Sequence, residues 1–510
     1  MIEVEGLKLV VEPSISSVLT KVNHFLAEQG IKSYLVGGFV RDALLGRETA
    51  DIDIAIAADA PQVASKIAAV VGGKHVLLDE VNKVSRIVLM SQEATPAKGR
   101  LELDISTLKG NIEQDLAQRD FTIDAMAIDL SELDKGYTDV QLIDPFNGWS
   151  DLQQKVIRAV SETSLKSDAA RLLRAVRLAA ELGFNINKET ETLIQRYSYL
   201  VSGVAGERIR EELLRLLVIP QAEQLLSYLD KLGLLTAIIP ELAQAKGVSQ
   251  PKEHFWDVFD HSLKTVAAID FLLRQGTWSI SAASDEEIWA VTPWSAVPAQ
   301  HFGQEVSYGS TRRLLMKLAA LLHDVAKPQT KTIDANGRIR FLGHANEGAT
   351  IVADILERLR FSTKEIKLVE TMVKYHLRPS QMSHDGLPSP RAIYRFFRDT
   401  GEAGIDTLFL SLADHLATRG LHLDLAQWKE HAQLVKYVLA QRLEQESRVA
   451  PPKLVDGHDL INIFGISPGP KIRELLEAVR EAQAAGELTT REEALSYLRK
   501  RLSDRAKQQI

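Results

Sequence analysis

The chain has 510 residues, 45% of them hydrophobic and 25% charged, so it is too long for one hydrophobic core and predicts three or four domains. It contains no cysteine, which excludes disulfides and thiolate metal sites and leaves histidine and carboxylate as the metal ligands. Without a secretory signal pattern or an apolar run near the roughly 18 residues of a membrane span, it is expected to be cytoplasmic with no membrane partner, and its net charge of -7 does not indicate nucleic-acid binding.

The first 160 residues alternate helical and strand patterns. Amphipathic periodicity predicts a helix over residues 15–28 and another near 60–71. Short apolar or alternating runs predict four strands, over residues 33–36, 52–57, 84–90 and 101–105. We therefore expect a small α/β domain built on a mixed sheet.

From Ser167 onward the periodicity is almost entirely helical, and Gly183 predicts the end of one such helix. Residues 271–310, which contain three tryptophans, predict a long irregular insertion whose aromatic side chains serve packing rather than binding. Pro451 and Pro452 predict a linker to a last helical segment. The expected fold class is a multidomain α+β protein with an α/β head followed by all-α domains.

A glycine pair follows the first predicted strand. Gly37 and Gly38 let the backbone approach a ligand closely, and the N-terminus of the following helix offers unpaired N–H groups to phosphate. Arg41, one turn into that helix, can add a bidentate phosphate contact. This segment predicts a nucleotide-binding turn, although a glycine pair alone is more often only a turn.

Three aspartates follow on neighbouring strands. Period-two alternation places Asp51 and Asp53 on one face of their strand, and Asp104 can join them from another. Carboxylates this close repel each other unless a divalent cation lies between them. Three converging acids suit two-metal phosphoryl or nucleotidyl transfer, so these aspartates are the predicted catalytic residues.

The run LVGGFVRDALLG, followed by DID, resembles the head of class II CCA-adding enzymes and bacterial poly(A) polymerases, which have a polymerase-β-like fold. Later runs fit the same family in the same order: QRDFTIDA from Gln118, DPFNG from Asp144 and DAARLLRAVR from Asp168. The resemblance implies template-independent addition of nucleotides to RNA 3′ ends, tRNA above all, from CTP and ATP with Mg²⁺ at Asp51 and Asp53.

The last of these runs predicts how the base is selected. Asp168, Arg171, Arg174 and Arg177 recur at intervals of three and are expected on one side of a helix. A carboxylate accepts from the amino group of cytosine or adenine, whereas guanine and uracil present a carbonyl there and leave it unpaired. In the family that the chain resembles, the matching Asp and first Arg read the base, while the residues matching Arg119 and the later arginines contact triphosphate or ribose.

Three positions depart from the usual motifs of this family. Ser167 stands where Glu is usual, Asp124 where Asn is usual, and Gln118 where the first of two arginines is common. The Asp and Arg of the base-reading motif are retained, which favours C and A as the added nucleotides. Addition of both, of C alone, or of A alone remains open at this stage.

A second group of metal-ligand residue types lies in the helical part. Its members are histidines and aspartates that flank an adjacent His-Asp pair: His261, His323, Asp324, His344, His376 and Asp414. Imidazole with carboxylate is a ligand set for Mn²⁺, Fe²⁺, Co²⁺, Ni²⁺ or Zn²⁺ with positions open for water. Water bound to such ions becomes a nucleophile near neutral pH, so the group predicts a hydrolytic metal centre.

The order His, His-Asp, Asp resembles the HD phosphohydrolase superfamily, and His344 and His376 fit its fuller form, which can hold two ions. In bacterial CCA-adding enzymes that carry this domain, it removes 2′- or cyclic phosphates from RNA ends. The segment from Val455 to Ala494 also resembles the tail of this family, which implies contact with the tRNA body.

The predicted domains are a nucleotidyltransferase head over residues 1–160, a helical neck over 161–248, an HD domain over 249–425 and a tail over 426–510. The alternatives are a poly(A) polymerase, an enzyme that adds only CC or A, and a phosphohydrolase whose head binds nucleotide without catalysis. A non-catalytic RNA-binding module is disfavoured by the two metal-ligand groups, and an alarmone synthetase by the order of the domains. The sequence does not predict the oligomeric state.

Overall fold

The computed structural model describes residues 9–49, 51–90, 100–135, 140–278, 280, 283–382, 386–444 and 453–508. The linker predicted at Pro451 and Pro452 lies outside these residues. Within them, no helix has the length and apolar character needed to cross a bilayer. The chain divides into two compact units, one formed by Met1–Val204 with Leu232–Leu234, the other by Ala205–Lys231 with Leu235–Ile510.

The first unit contains a six-stranded mixed sheet and a two-stranded one. The strands are β1 Ser33–Val36, β2 Asp51–Ile56, β3 Lys74–Asp79, β4 Val84–Met90, β5 Arg100–Thr107, β6 Ala127–Asp129, β7 Val156–Ile157 and β8 Asn185–Ile186. The large sheet has the order β3-β4-β5-β2-β1-β6, in which only β2 and β5 pair in parallel. The mixed sheet is therefore confirmed, with β3 and β6 as additional strands.

The helices of this unit are α1 Pro13–Glu28, α2 Gly38–Leu44, α3 Ala60–Val71, α4 Ile112–Leu116, α5 Gly148–Gln154, α6 Glu162–Ser167, α7 Ala170–Leu182 and α8 Lys188–Tyr197. Helix α3 has the predicted bounds, and α7 ends at Gly183, whose φ of 69° is the left-handed conformation that glycine adopts readily. Helices α1 and α3 pack against each other, and α3 also packs on β3, β4 and β5.

The second unit is almost entirely helical. Its helices are α9 Gly206–Val218, α10 Ala222–Lys231, α11 Leu234–Ile238, α12 Val258–Leu272, α13 Asp285–Trp289, α14 Ala296–Phe302, α15 Arg312–Leu322, α16 Lys327–Thr330, α17 His344–Arg358, α18 Thr363–Tyr375, α19 Arg378–Gln381, α20 Pro390–Thr400, α21 Gly404–Arg419, α22 Leu425–Glu444, α23 Gly457–Phe464, α24 Pro470–Ala484 and α25 Arg491–Gln508. Two hairpins complete it, β9 Glu305–Ser307 with β10 Ser310–Thr311, and β11 Lys331–Ile333 with β12 Ile339–Phe341.

The boundary between the units falls inside the predicted neck. Helix α9 packs on α15 and α10 on α12, so this part of the neck belongs to the second unit. Buried Lys317 of α15 strengthens the contact with α9. Its ammonium donates to the Leu217 carbonyl at 2.6 Å and pairs with Asp270 at 2.6 Å. Residues 161–204 belong instead to the first unit.

The tryptophan-rich insertion is more regular than the sequence predicts, since it contains α13, α14 and the first hairpin. Its packing role holds. Trp278 is 1% exposed, Trp294 stacks on Phe302 with ring centroids 6.3 Å apart, and Trp294 also contacts Phe409 edge-on. The aromatic rings thus anchor the insertion to the helical core.

The last three helices have an apolar core of their own, and exposed ion pairs connect α24 and the turn after it to α20. The pairs are Arg391 with Glu487, Arg395 with Glu481, and Arg398 with Glu477. Exposed pairs of this kind contribute about 1 kcal/mol or less each and are screened by salt.

We expect Glu481→Arg to speed amide hydrogen exchange in α20 and α24 at low salt, because it places a cation against Arg395. Glu492→Arg, which changes an exposed acid on α25, is the matched control and should leave both helices unchanged. If the exchange rates of the variant and the wild type differed by the same factor at low salt and at 0.5 M salt, the contact between these helices would not be electrostatic in origin.

Candidate active site and candidate metal centre

The parallel pairing of β2 with β5 brings four acids onto one face of the sheet. Asp51 lies opposite Glu102 and Asp53 opposite Asp104. The intervening Ile52 and Ile54 are fully buried on the other face, whereas Asp51 is exposed and Asp53 partly exposed. Asp51 and Asp53 therefore share one face of β2, as the alternation predicts. Glu102 is a further acid on this face that was not among the residues predicted from the sequence.

Asp104 is held by a neighbour that the sequence analysis missed. Arg86 on β4 lies directly opposite Asp104, and its Nε and Nη2 donate to the two carboxylate oxygens at 2.7 and 2.8 Å. The third nitrogen, Nη1, pairs with Glu102. In the part of the chain that the structure describes, Asp51, Asp53 and Asp104 do not belong to a group of three or more acids and histidines close enough to share one ion.

The glycine turn packs directly against β2, the strand that carries Asp51 and Asp53. Gly37 precedes α2 with a φ of 68°. A Cβ at this position would lie 2.7 Å from Nη1 of Arg119 and 3.0 Å from Oδ2 of Asp53. The absence of a side chain thus lets a cationic group and a carboxylate converge on the backbone at the start of a helix, where phosphate is bound in many proteins.

We expect Gly37→Ala to reduce nucleotide addition by about 10²-fold, because a 1 Å misplacement of reacting groups has effects of this order. The new Cβ must displace Arg119 or Asp53, and the left-handed backbone adds strain. Initial rates of nucleotide addition measure the effect, with Gly30→Ala as a control at a positive φ and open space around the Cβ. Equal losses in both variants would assign the effect to backbone strain alone.

Arg41 lies among carboxylates and is 8% exposed. Its guanidinium donates to both oxygens of Asp42 at 2.9 Å and to Oδ1 of Asp124 at 2.6 Å. Arg174 approaches Asp124 from the other side at 3.7 Å and pairs with Asp120 at 2.8 Å. This geometry favours a supporting role for Arg41 in the glycine turn over the direct phosphate contact that its spacing predicts.

The electrostatics of the face suit a cation. The pKa of Asp53 is raised to about 6, chiefly by burial and also by the charges of Asp104 and Asp124, against the opposing charges of Arg119 and Arg174. Crowded carboxylates favour the neutral form unless a positive charge is close. Hard oxygen ligands at alternate positions of one strand fit a divalent ion such as magnesium, which accepts one or two carboxylates together with substrate phosphates.

Asp168 and Arg171, the pair predicted to read the base, lie at a break between two helices. Asp168 has extended backbone, with φ -148° and ψ 99°, between α6 and α7, so the prediction that it shares a helix face with the arginines is wrong. The cause is local: its Oδ1 accepts from the N–H of Ala170 at 3.2 Å and starts α7. Arg171 keeps its Nε 3.9 Å from Asp168 Oδ2, and its Nη1 donates to the Ser164 carbonyl at 2.9 Å.

Other motif residues form scaffold contacts. Arg177 is buried and pairs with Glu181 at 2.6 Å. Asp144 accepts from the N–H groups of Gly148 and Trp149 at 2.7 and 2.9 Å, and a Cβ on Gly148 would lie 2.1 Å from the Thr122 carbonyl. These contacts fix the segment that carries Arg119 and Asp124.

In the second unit the six predicted ligands converge. His261 comes from α12, the His323-Asp324 pair follows α15, His344 begins α17, His376 follows α18, and Asp414 lies on α21. Two groups are close enough to hold an ion, and they share His323: one adds His261 and Asp414, the other Asp324 and His376. Nε2 of His344 lies 3.4 Å from Oδ1 of Asp324.

Backbone carbonyls set the tautomers of three of these histidines. Nδ1 of His323, His344 and His376 lies 2.8, 2.6 and 2.7 Å from the carbonyl of the residue three positions earlier. A carbonyl only accepts, so Nδ1 carries the proton and Nε2 is left as a lone pair for a metal. The Nε2 atoms of His261 and His323 are 3.1 Å apart, as expected for two ligands of one ion.

Nε2 of His344 and Oδ1 of Asp324 are buried without a hydrogen bond among the described residues, and Oδ2 of Asp324 is paired with the Lys327 ammonium at 2.6 Å. Burial opposes ionisation of Asp324, but the positive charges of His323, when its imidazole is protonated, and of Lys327 hold its pKa well below the usual range. Orphaned, ionised ligand atoms in a buried imidazole-carboxylate set are the environment that a divalent transition metal satisfies.

A cavity of about 320 Å³ opens onto this centre. Besides the ligands it is lined by cationic or aromatic residues that the sequence analysis did not select, namely His254, Lys327, Arg340, Phe341, His415 and Arg419. Lys327 could have been found from its place three residues after Asp324, to which its ammonium binds at 2.6 Å. The other five also lie near predicted ligands in the sequence, and His415 directly follows Asp414, but none belongs to a motif.

Three family models match the chain. They are described as Poly A polymerase head domain over residues 33–158, Probable RNA and SrmB-binding site of polymerase A over residues 183–246, and HD domain over residues 294–419. The first covers the glycine turn and the four acids, and the third covers five of the six predicted ligands but not His261.

Curated relatives match over nearly the whole length. The A-adding tRNA nucleotidyltransferase of Deinococcus radiodurans is 32% identical, covering 91% of this chain and 94% of the relative. The CC-adding tRNA nucleotidyltransferase of Thermus thermophilus is 33% identical, with 91% and 93% covered.

Solved structures support the fold at lower identity. A CCA-adding enzyme in complex with ATP is 22% identical with a TM-score of 0.61, covering 96% of this chain and 94% of that one. The Thermotoga maritima CCA-adding enzyme complexed with tRNA is 22% identical with a TM-score of 0.55, covering 97% of each chain.

Proposed function

The chain belongs to the family of bacterial tRNA nucleotidyltransferases that carry an HD domain, and we propose that it adds C and A nucleotides to the 3′ end of tRNA from CTP and ATP without a template. The observation that carries this proposal is the convergence of Asp53 and Arg119 on the side-chain-free backbone of Gly37, beside Asp51. This places acidic ligands and a cation at one phosphate-binding turn.

Each residue has a task in this reaction. Asp51 and Asp53 would hold magnesium, which lowers the pKa of the attacking RNA 3′-hydroxyl and stabilises the pyrophosphate leaving group. The turn at Gly37 and Gly38, with Arg119, seats the triphosphate. Asp168 accepts from the amino group of cytosine or adenine, and Arg171 donates to the adjacent ring acceptor.

Addition of only part of the CCA sequence is the second candidate. It is favoured by the two relatives described above, one named for adding A and the other for adding CC. Both activities use the same acids and the same base-reading pair, so the candidates differ in specificity and not in chemistry.

The test is incubation of the full chain with three tRNA substrates: one that lacks the whole CCA end, one that ends in CC and one that ends in CCA. Each labelled nucleoside triphosphate is supplied in turn. Full activity extends the first substrate by CCA and stops, partial enzymes extend only one of the first two, and a poly(A) polymerase continues past the CCA end. No extension of any substrate would contradict nucleotidyl transfer and favour a head that only binds nucleotide.

For the HD domain we propose hydrolysis of phosphate esters at RNA ends, with 2′- and cyclic phosphates as substrates. The imidazole-carboxylate set with neutral Nε2 atoms favours Mn²⁺, Ni²⁺, Co²⁺ or Fe²⁺ over Mg²⁺. The neighbouring Lys327, Arg340 and Arg419 provide positive charge for the phosphate. Phosphate release from RNA that ends in a 2′-phosphate, after metal removal and re-addition of each ion, tests the proposal. Unchanged release in His323→Ala would contradict it.

A further inference from the structure

Arg86 lies on the face of the sheet that carries the four acids. It lies across from Asp104, the aspartate beside Asp53, and binds both oxygens of Asp104 while its third nitrogen reaches Glu102. The Arg86 side chain is 31% exposed, so it is not buried beneath the acidic face. One side chain therefore engages two of the four acids.

This geometry differs from that of a group that merely orients a metal ligand. An orienting donor commonly binds one carboxylate oxygen and leaves the other for the metal. Here the planar fork of arginine takes both oxygens of Asp104 in two parallel, charge-assisted hydrogen bonds, which are the strong kind. An ion that used Asp104 would also have to lie close to a fixed positive charge.

Resting on the proposed nucleotidyl transfer, we propose that Arg86 is a built-in competitor of the divalent ion. It withholds Asp104 and Glu102 and leaves Asp51 and Asp53 as the only acids of this face that bind metal before substrate. The head then binds divalent ions weakly until a triphosphate adds its own oxygens. Arg86 is a positioning residue that sets metal affinity. Asp104 binds Arg86 and is not a metal ligand before substrate binds.

The experiment measures Mn²⁺ affinity of the full chain without nucleotide, by electron paramagnetic resonance of free Mn²⁺. Every protein carries His323→Ala and Asp324→Ala, which disable the ion site of the second unit. Arg86→Gln should bind Mn²⁺ about five- to tenfold more tightly, because one positive charge leaves the site and two carboxylates are released. The Mn²⁺ affinity of Asp104→Asn should stay within about twofold of that of the protein with only the two background substitutions. The double variant Arg86→Gln with Asp104→Asn should bind Mn²⁺ only slightly more tightly than that protein.

The opposite pattern overturns the inference. If Arg86→Gln and Asp104→Asn both weaken Mn²⁺ binding about tenfold or more, Asp104 is a ligand that Arg86 orients. Equal affinities in all variants would also refute competition. Asp104→Asn keeps the size of the side chain and tests the proposal without Arg86→Gln, should that variant not fold. Loss of Mn²⁺ binding in Asp53→Asn would show that the measured site is the one in the head. Unchanged Mn²⁺ binding in Asp53→Asn would contradict the proposed function itself.

Discussion

Asp53→Ala is expected to lower nucleotide addition to tRNA by about 10³-fold or more, while phosphate release from RNA ends stays at the wild-type rate. The variant removes a carboxylate that would hold magnesium where charge develops on the transferred phosphate. Asp53 belongs to the first compact unit and the histidine centre to the second, so the loss should be confined to one activity. Initial rates with labelled CTP and with 2′-phosphorylated RNA measure the two activities.

His323→Ala should give the reverse result, because His323 is the ligand shared by both groups that can hold an ion in the second unit. Glu80→Ala, which removes an exposed acid from the turn after β3, is the control for a change of charge in the head and should affect neither activity. If either Asp53→Ala or His323→Ala abolished both activities without unfolding the protein, the assignment of two independent sites would be wrong.

Asp168→Ala should relax the choice of nucleotide more than it lowers turnover. In the wild type, UTP or GTP leaves the carboxylate opposite a carbonyl, and an acceptor that is covered by the bound base and left unpaired costs about 1–3 kcal/mol, or roughly 5- to 150-fold in specificity. Removal of the carboxylate abolishes that penalty, so discrimination against UTP should fall by about 10- to 100-fold. The ratio of kcat/KM for CTP and UTP measures the change.

Asp168→Asn separates charge from hydrogen-bonding pattern. Its amide can donate to the carbonyl of uracil, so this variant should accept UTP better than Asp168→Ala does. Glu162→Gln, an exposed acid at the start of α6, is the matched control and should retain wild-type selectivity. Selectivity that is unchanged in Asp168→Ala would show that another residue reads the base.

Features that depend on spacing along one element could be predicted from the sequence. Alternation along β2 gives the shared face of Asp51 and Asp53, and glycine gives the turn at Gly37 and the end of α7 at Gly183. Strand β3 was missed because at the sheet edge its apolar residues are exposed on both faces and do not alternate. These are consequences of local geometry and of position in the sheet.

Contacts between distant elements could not be predicted in this way. The register that places Arg86 opposite Asp104 is a property of two strands together, and Arg41 meets Asp124 across 83 positions of sequence. The break at Asp168 was missed because its side chain accepts from the N–H of Ala170 at the start of α7, whereas spacing alone suggests a continuous helix. The histidine ligands were found because an adjacent His-Asp pair is distinctive, but the carbonyls that fix their tautomers depend on the backbone fold.

The most direct test of metal binding by Asp51 and Asp53 is a crystal structure of the full chain with Mn²⁺ and a non-hydrolysable CTP analogue, in which anomalous scattering locates the metal. The account predicts a metal peak about 2.1 Å from carboxylate oxygens of Asp51 and Asp53, with the triphosphate against Gly37 and Arg119. A structure in which the nucleotide binds but no ion contacts these two aspartates, or in which their side chains point apart, would contradict it.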